Sequence, residues 1–266
     1  MPTAQNLLLL LTFDGACYHG WQIQPNSPTI QGTLQKAIQS LTGENIRVNG
    51  SGRTDSGVHA LNFTASFNSI SNTINTTEKW HKALNAVLPN DIVVKSVQNV
   101  SADFHARHNA IGKRYRYLIS NHSYHSPFTK NKSWHLVQYL DIDMMKRVAE
   151  VLMGKHDFSA FRSSKCSSPN TVKVIRQISI DKSHFQNSTL QIEIEANSFL
   201  QHMVRIITGT LVEAAQDHIK PADVKKALKN GDRNLTGCTA PAHGLYSLKV
   251  IYPDGLVSWP QEVIDN

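Results

Sequence analysis

The chain has 266 residues and a mass of 29.7 kDa, enough for one large domain or two compact lobes. Apolar residues make up 40% of the chain and charged residues 18%, so a packed core is expected and wholesale disorder is excluded. Lysine and arginine total 27 against 20 aspartates and glutamates, and the net charge of +7 suits a protein that binds a polyanion.

Cysteine usage and the first residues indicate a reducing, cytoplasmic setting. Cys17, Cys166 and Cys238 are far apart and form no C-x-x-C motif, so neither a disulfide framework nor a thiolate zinc site is indicated. The apolar run at 7–11 is too short to span a membrane and lacks the basic start of a signal peptide. We therefore interpret it as a buried strand and expect no membrane partner.

Hydrophobic periodicity predicts a β-α-β-β-α-β succession in the first half of the chain. The predicted elements are a strand at 7–13 buried on both faces, a helix at 30–41 closed by Gly43, strands at 46–49 and 63–67, a helix at 80–88, and a strand at 92–100. In the strand at 63–67, apolar residues alternate with Thr64 and Ser66, which predicts that one face is solvated. This order is the split-βαβ, or ferredoxin-like, arrangement.

The same succession recurs in the second half. The predicted elements are strands at 115–119, 172–180, 190–196 and 246–252, and helices at 144–152, 199–211 and 221–229. Two copies of one unit predict an α+β fold: two ferredoxin-like lobes with pseudo-twofold symmetry, their sheets joined around a central basic cleft. We place the lobes at 1–105 and 106–266, the second completing the cleft.

Positive charge is concentrated where the two predicted lobes meet. Residues 101–135 contain six lysines and arginines but one acid, Asp103, together with five of the 13 histidines. A local net charge of +5 favours a polyanion partner more strongly than the overall charge does. We expect this stretch to contact nucleic-acid phosphates.

The densest group of candidate functional residues is the segment from Gly50 to Ala60. Its first eight residues contain three glycines, which permit positive φ and close approach of a ligand. It is not a Walker A loop, because Val58 and His59 occupy the Lys and Ser/Thr positions. Nor is it a dinucleotide fingerprint, whose third glycine would fall at Asp55.

What remains is a small-residue loop that presents Arg53 and Asp55 two positions apart. A neighbouring guanidinium favours the ionised carboxylate, which suits a nucleophile or a base. A lone Arg-Thr-Asp has an ordinary alternative: the aspartate caps its own turn and the arginine is a surface charge.

The full string Arg-Thr-Asp-x-Gly-Val-His-Ala at 53–60 resembles the signature of the tRNA pseudouridine synthase A family. Further blocks resemble the family in the same order along nearly the whole chain: Phe13-Asp-Gly, Tyr18-x-Gly-Trp-Gln, Asp103-Phe-His-Ala-Arg, Lys113-Arg-Tyr-Arg-Tyr, Asp157-Phe-x-x-Phe-Arg, Asn197-x-Phe-Leu-x-x-Met-Val-Arg and Gly244-Leu-Tyr. The fold that this resemblance implies agrees with the duplication read from the periodicity.

The resemblance also implies roles for individual residues. Asp55 would be the essential catalytic carboxylate, Arg53 would help to extrude and replace the target base, and Tyr115 would pack against the uridine. Arg205 would pair with Asp55, and Leu245 would line the pocket. Taken alone, Tyr115 and Leu245 also suit core positions, and Arg205 also suits a surface position at a helix end.

The implied reaction is isomerisation of uridine to pseudouridine at positions 38, 39 and 40 of the tRNA anticodon stem-loop, by a homodimer. Isomerisation requires no group donor or redox change, so no cofactor is expected. Two His-x-x-His pairs, at 105–108 and 122–125, lack further ligands at metal-site spacing, and no metal is expected. The alternative is a non-catalytic RNA-binding or tRNA-folding protein of RRM-like layout, although the RNP1 pattern is absent.

Overall fold

The computed structural model describes residues 4–182 and 189–265, and residue contacts divide the chain into two compact units. The first unit comprises Met1–Ile111 and Ser247–Asn266, and the second comprises Gly112–Tyr246. Both units combine helices with β-strands, which confirms the predicted α+β class. The described residues contain no helix of the length and apolarity needed to cross a lipid bilayer.

The described part of the chain forms ten strands and six α-helices. The strands are β1 (Gln5–Phe13), β2 (Asn49–Gly50), β3 (His59–Ser69), β4 (Ile92–Val100), β5 (Gly112–Asn121), β6 (Trp134–Leu136), β7 (Gly154–Asp157), β8 (Val172–Lys182), β9 (Thr189–Ala196) and β10 (Leu245–Ile251). The helices are α1 (Ile30–Thr42), α2 (Thr77–Val87), α3 (Ile142–Leu152), α4 (Met203–Ala215), α5 (Pro221–Asn230) and α6 (Gln261–Asp265).

The first unit has the strand neighbours of a split-βαβ unit. β1 pairs antiparallel with both β3 and β4, and β2 pairs with β3. The predicted order is confirmed, although the strand expected at 46–49 is reduced to the two residues of β2. α1 begins after Thr29, whose side chain accepts a hydrogen bond from the Gly32 amide, and ends as predicted at Gly43 in the left-handed region.

β1 is buried on both faces, as predicted. Leu7, Leu9 and Leu11 belong to the core that includes α1 and α2, whereas Leu8 packs with Phe104 and Ala106. The prediction that one face of β3 is solvated was wrong, because other parts of the chain cover that face as well. Thr64 and Ser66 are buried, because Tyr252 bonds the Thr64 hydroxyl and the Ala106 amide donates to Ser66.

In the second unit, β5, β9, β8 and β7 are neighbours in that order, all antiparallel, and β6 pairs parallel with β5. The predicted succession of longer strands and helices is confirmed, but the short strands β6 and β7 were not predicted. The helix expected from residue 199 begins only at Met203, because His202 has a φ of 65° and interrupts the helical path. This late start places Arg205 in the first turn of α4.

Candidate active site

The loop at 51–58 lies between β2 and β3 and is held by its main chain. The Trp21 amide donates to the Thr54 carbonyl at 3.2 Å, and the Gly57 amide donates to the Tyr18 carbonyl at 3.2 Å. Within the loop, the Val58 amide donates to the Asp55 carbonyl at 3.2 Å. Because these bonds involve backbone atoms on both sides of Asp55, they fix the direction in which the carboxylate leaves the chain.

Glycines outside the loop allow this close approach. A Cβ atom on Gly20 would lie 2.2 Å from the Thr54 carbonyl oxygen, and Gly20 also has a φ of +81°. A Cβ on Gly15 would lie 1.9 Å from the Val58 carbonyl oxygen. Since real Cβ contacts do not come this near, the segment at 14–21 fits the loop only with glycine at these two positions.

Tyr18 links the loop to the interior of the first unit. Its carbonyl accepts from the Gly57 amide and from the Ser56 hydroxyl, the latter at 3.3 Å. Its own hydroxyl donates to Asp91 Oδ1 at 2.7 Å. Burial, followed by the hydrogen bond to Asp91 and that carboxylate's charge, raises the pKa of Tyr18 well above its usual value. The phenol therefore remains a hydrogen-bond donor even at an alkaline pH at which a free tyrosine ionises.

A second buried contact supports the end of the loop. His59 is buried, with Nδ1 2.9 Å from Asp14 Oδ1 and 3.1 Å from the Gly15 amide nitrogen. Nδ1 carries either a proton or a lone pair, so it cannot donate to Asp14 and accept from Gly15 at once. Because the contact with Asp14 is shorter and its acceptor is a charged carboxylate, we assign the proton to Nδ1, which then donates to Asp14. The sequence predicted neither the contact between His59 and Asp14 nor the hydrogen bond between Tyr18 and Asp91. Three of these residues, Asp14, Tyr18 and His59, nevertheless lie in the quoted motifs.

The structure places the predicted site residues in both units. Arg53 and Asp55 lie in the loop of the first unit, where Arg53 is exposed and Asp55 half-buried. Tyr115, Arg205 and Leu245 lie in the second unit.

Tyr115 and Leu245 are both buried and lie on β5 and at the start of β10. Tyr115 is on β5 opposite Ile194 of β9, and the ring of Phe199 meets it edge-on with centroids 5.1 Å apart. Leu245 is the first residue of β10 and directly follows a short 3₁₀ turn at Ala242–Gly244. Phe199 was not predicted as a site residue, and its aromatic character within the Asn197 motif was the available signal.

Arg205 does not behave as a surface arginine at a helix end. It is half-buried in the first turn of α4, and its Nε donates to the Ala240 carbonyl at 2.7 Å. The guanidinium is thus oriented by the main chain of the segment that leads to Leu245.

Part of the predicted basic stretch is paired with carboxylates. Arg114 and Arg116 on β5 each donate from Nε and a terminal nitrogen to a glutamate of β9, namely Glu195 and Glu193, with shortest distances of 2.7 Å. The register places these residues directly opposite each other. The alternating glutamates of β9 were the sequence signal for this pairing. Among the six predicted phosphate-contacting cations, these two therefore have intramolecular partners.

Neither His-x-x-His pair forms a metal-binding group in the described structure. The rings of His105 and His108 lie 4.2 Å apart, and burial is the largest cause that lowers the pKa of His105. Across residues 4–182 and 189–265, no three His, Cys, Asp or Glu side chains are grouped so that they could hold a metal ion.

A family profile described as "tRNA pseudouridine synthase" matches residues 10–109 and 148–253 of the chain. Among curated proteins, "tRNA pseudouridine synthase A" of Thermoanaerobacter sp. (strain X514) is 45% identical over 248 residues, which is 93% of this chain and 100% of the relative. The protein of the same name from Acetivibrio thermocellus is 42% identical with the same coverage. "tRNA pseudouridine synthase A 2" of Clostridium tetani is 42% identical over 94% of this chain and 99% of the relative.

Among solved structures, a chain of a Cbf5-Nop10-Gar1 complex aligns with a TM-score of 0.34 and 9% identity. That alignment covers 91% of this chain and 58% of the other, and at this score it supports no conclusion about the protein.

Proposed function

Because the chain belongs to the tRNA pseudouridine synthase family, we propose that it converts uridine to pseudouridine at positions 38, 39 and 40 of the tRNA anticodon stem-loop. The family makes it an isomerase that acts on uridine in tRNA. The observation that carries the proposal is the Arg53-Thr-Asp55 loop, in which a half-buried carboxylate is directed by main-chain hydrogen bonds.

Asp55 is the proposed catalytic carboxylate. Isomerisation breaks the bond between N1 of the base and C1′ of the ribose, turns the ring, and joins C5 to C1′. C5 loses its proton and N1 gains one, so the composition does not change. A carboxylate fits three routes to this product: attack on C1′, attack on C6, or removal of the C2′ proton. Each route requires a carboxylate oxygen held in a defined position, and the main-chain hydrogen bonds of the loop support such positioning.

The other predicted residues serve to bind the extruded nucleotide. Removing a stacked base from an RNA helix costs a few kcal/mol. Arg53 is exposed on the loop and is proposed to fill the position that the base vacates. Tyr115, Arg205 and Leu245 are proposed to contribute to binding the uridine, and the edge-on contact with Phe199 helps to hold the Tyr115 ring.

We further propose that the protein acts in the cytoplasm as a homodimer, without a cofactor, on tRNA as its macromolecular partner. The reaction transfers neither electrons nor a group to an acceptor, so its chemistry makes no demand on a cofactor. Sedimentation equilibrium of the full chain tests the oligomeric state, since a mass near 29.7 kDa at micromolar concentration would contradict the dimer.

The catalytic role is tested with tRNA labelled with tritium at C5 of uridine, which releases tritium as pseudouridine forms. Asp55→Asn should abolish release, a loss of at least about 10⁴-fold, because the amide cannot act as nucleophile or base. Asp254→Asn, at an exposed position of the same unit, is the matched control and should retain wild-type release. Binding of tRNA by Asp55→Asn should persist.

The position of modification is tested with tRNAs in which uridines 38, 39 and 40 are replaced by cytidine, singly and together. Tritium release should fall with each replacement and vanish when all three are absent. Release that continued from the triple replacement would contradict the anticodon assignment, and release that survived Asp55→Asn would contradict the catalytic one.

A further inference from the structure

A cavity of about 330 Å³ lies in the second unit, apart from the residues that the family resemblance singles out. We call it the histidine pocket and define it by its lining residues: His125, Lys130, Asn131, Ser133, Trp134, His135 and His243. Lys130 and His125 are exposed at its rim, and Ser133 is buried. The pocket combines residues of the segment between β5 and β6, two residues of β6, and the 3₁₀ turn that precedes β10.

The two walls of the histidine pocket are anchored to the interior of the second unit. Tyr246 donates from its hydroxyl to the Lys132 carbonyl at 2.7 Å, which ties β10 to one wall. Tyr117 donates to the Pro241 carbonyl at 2.7 Å, and a Cβ atom on Gly244 would lie 2.6 Å from its ring. The turn that carries His243 is therefore pressed against a buried tyrosine. Such anchoring preserves the spacing of the lining groups.

The lining chemistry favours an anion. Among the described residues, no carboxylate lines the pocket. The lining instead carries an ammonium, an amide and a hydroxyl, which are hydrogen-bond donors, and three imidazoles, each of which gains a further donor when it is protonated. His135 uses Nε2 to donate to the His122 carbonyl at 2.9 Å, which fixes the orientation of its ring. Arg114 and Arg116, by contrast, already face glutamates. The pocket thus offers the Lys130 ammonium and three imidazoles, with no acid among the lining residues that the structure describes.

The surroundings of the pocket favour RNA as the source of this anion. Tyr124 and Phe128, which are 67% and 83% exposed, lie on the same segment and offer faces on which bases can stack. His243 precedes Leu245 by two positions, and the positive charge of Arg205 acts on its imidazole. The pocket therefore adjoins two residues to which the proposed function assigns uridine binding.

We propose that the histidine pocket binds a backbone phosphate of the tRNA, close to the nucleotide that is isomerised. This inference rests on the proposed function, since it requires tRNA to be the substrate. A phosphate in the pocket fixes the register of the RNA strand without reading its sequence.

The first test measures tRNA affinity as a function of salt concentration for the full-length protein. The double variant His125→Ala/Lys130→Ala should lower the slope of log K against log salt by about 0.7 to 0.9, the value for one lost phosphate contact. Lys146→Ala, an exposed lysine on α3 of the same unit, is the matched control and should leave the slope and the activity unchanged. Both altered side chains are exposed, and circular dichroism verifies that the double variant is folded.

The second test neutralises the RNA instead of the protein. Single methylphosphonate linkages, which carry no charge, are placed one at a time next to uridines 38 to 40 of the tRNA. One linkage should weaken binding to the wild type but cause no further loss with the double variant, because both changes remove the same contact. Inorganic phosphate as sole ligand should not saturate the pocket at millimolar concentration, as measured on the histidine resonances, because a free phosphate lacks the other contacts that RNA makes.

The outcomes separate this inference from the proposed function. An unchanged salt slope, an equal loss from Lys146→Ala, or additive losses at every linkage would overturn the phosphate site while pseudouridine still forms. Saturation of the pocket by free phosphate would likewise overturn the assignment to RNA. Absence of pseudouridine from every tRNA tested would instead contradict the proposed function itself.

Discussion

The loop at 51–58 and the histidine pocket are built in opposite ways. The loop is positioned by main-chain hydrogen bonds, and glycines at 15 and 20 touch its carbonyls where no side chain fits. The pocket is built from side chains of a surface segment, several of them exposed, around fixed walls. The loop can present Asp55 in one direction, whereas the pocket offers one ammonium and several polar side chains that overlap in function.

This difference predicts how a substitution in each region should affect turnover and tRNA affinity. A small displacement of a reacting carboxylate costs orders of magnitude in rate, because bond making depends steeply on distance and angle. The loss of one cation from a group costs a phosphate contact and leaves the others in place. Substitutions that touch the loop should therefore cause large losses of turnover, and substitutions in the pocket should cause graded losses of affinity.

After Asp55→Asn, the largest effect is expected from Gly20→Ala. Its new Cβ would overlap the Thr54 carbonyl, and the backbone there has a φ of +81°, so the loop must move away. We expect turnover to fall by about 100-fold, the cost of misplacing a reactive group by about 1 Å. Single-turnover measurements of tritium release at saturating tRNA provide the readout.

Gly43→Ala separates displacement of the loop from backbone strain. Gly43 has a φ of +74°, but an added Cβ would meet nothing within 4 Å. It should lose about 1–2 kcal/mol of unfolding free energy, as a left-handed alanine does, and keep its turnover. Equal loss of turnover in both variants would show that general destabilisation, and not the position of the loop, controls the rate.

A graded, pH-dependent effect is expected in the histidine pocket. Burial is the largest cause that lowers the pKa of His243; the charges of Arg205 and His125 lower it further, and a hydrogen bond with the Ser133 main chain opposes them. The imidazole is thus neutral at pH 7 in the unbound protein. A phosphate, beside Lys130 and His135 of the same lining, would raise the pKa of His243, so binding takes up a proton.

The sign of this linkage makes tRNA binding stronger as the pH falls from 7.5 to 5.5. His243→Gln keeps a hydrogen-bonding side chain but cannot gain the proton, so its affinity should increase several-fold less over that interval. Titrations at constant ionic strength measure the difference. If the affinity of the wild type and that of His243→Gln changed equally with pH, His243 would not belong to the phosphate site.

The sequence was sufficient for those features that depend on local pattern. The two successions of strands and helices followed from hydrophobic periodicity, and Asp55 was singled out by its motif. It was insufficient where distant segments meet. The alternation of Thr64 and Ser66 predicts a solvated face, but Tyr252 and Ala106, far along the chain, bury both hydroxyls.

The supports of the loop escaped prediction for the same reason. Tyr18 and Asp91 are 73 positions apart, and a hydrogen bond between them leaves no periodic trace in either segment. The histidine pocket brings His243 to residues near 130 by the same kind of long-range packing. Local pattern predicts which elements form, whereas contacts between them depend on the tertiary structure.

The smallest effect is expected from the basic residues of β5, where the sequence predicted phosphate contacts. Arg116→Ala removes a cation whose Nε and terminal nitrogen both bond Glu193. If that pair persists when tRNA binds, the salt slope of binding should remain at the wild-type value, unlike that of His125→Ala/Lys130→Ala. Because the pair is partly exposed, unfolding free energy should fall by less than about 1 kcal/mol.

Glu193→Gln is the control for this prediction. It should increase the salt slope of binding, because Arg116 then becomes available to a phosphate. A reduced slope in Arg116→Ala would instead place RNA along β5, and the contrast between this strand and the pocket would be lost.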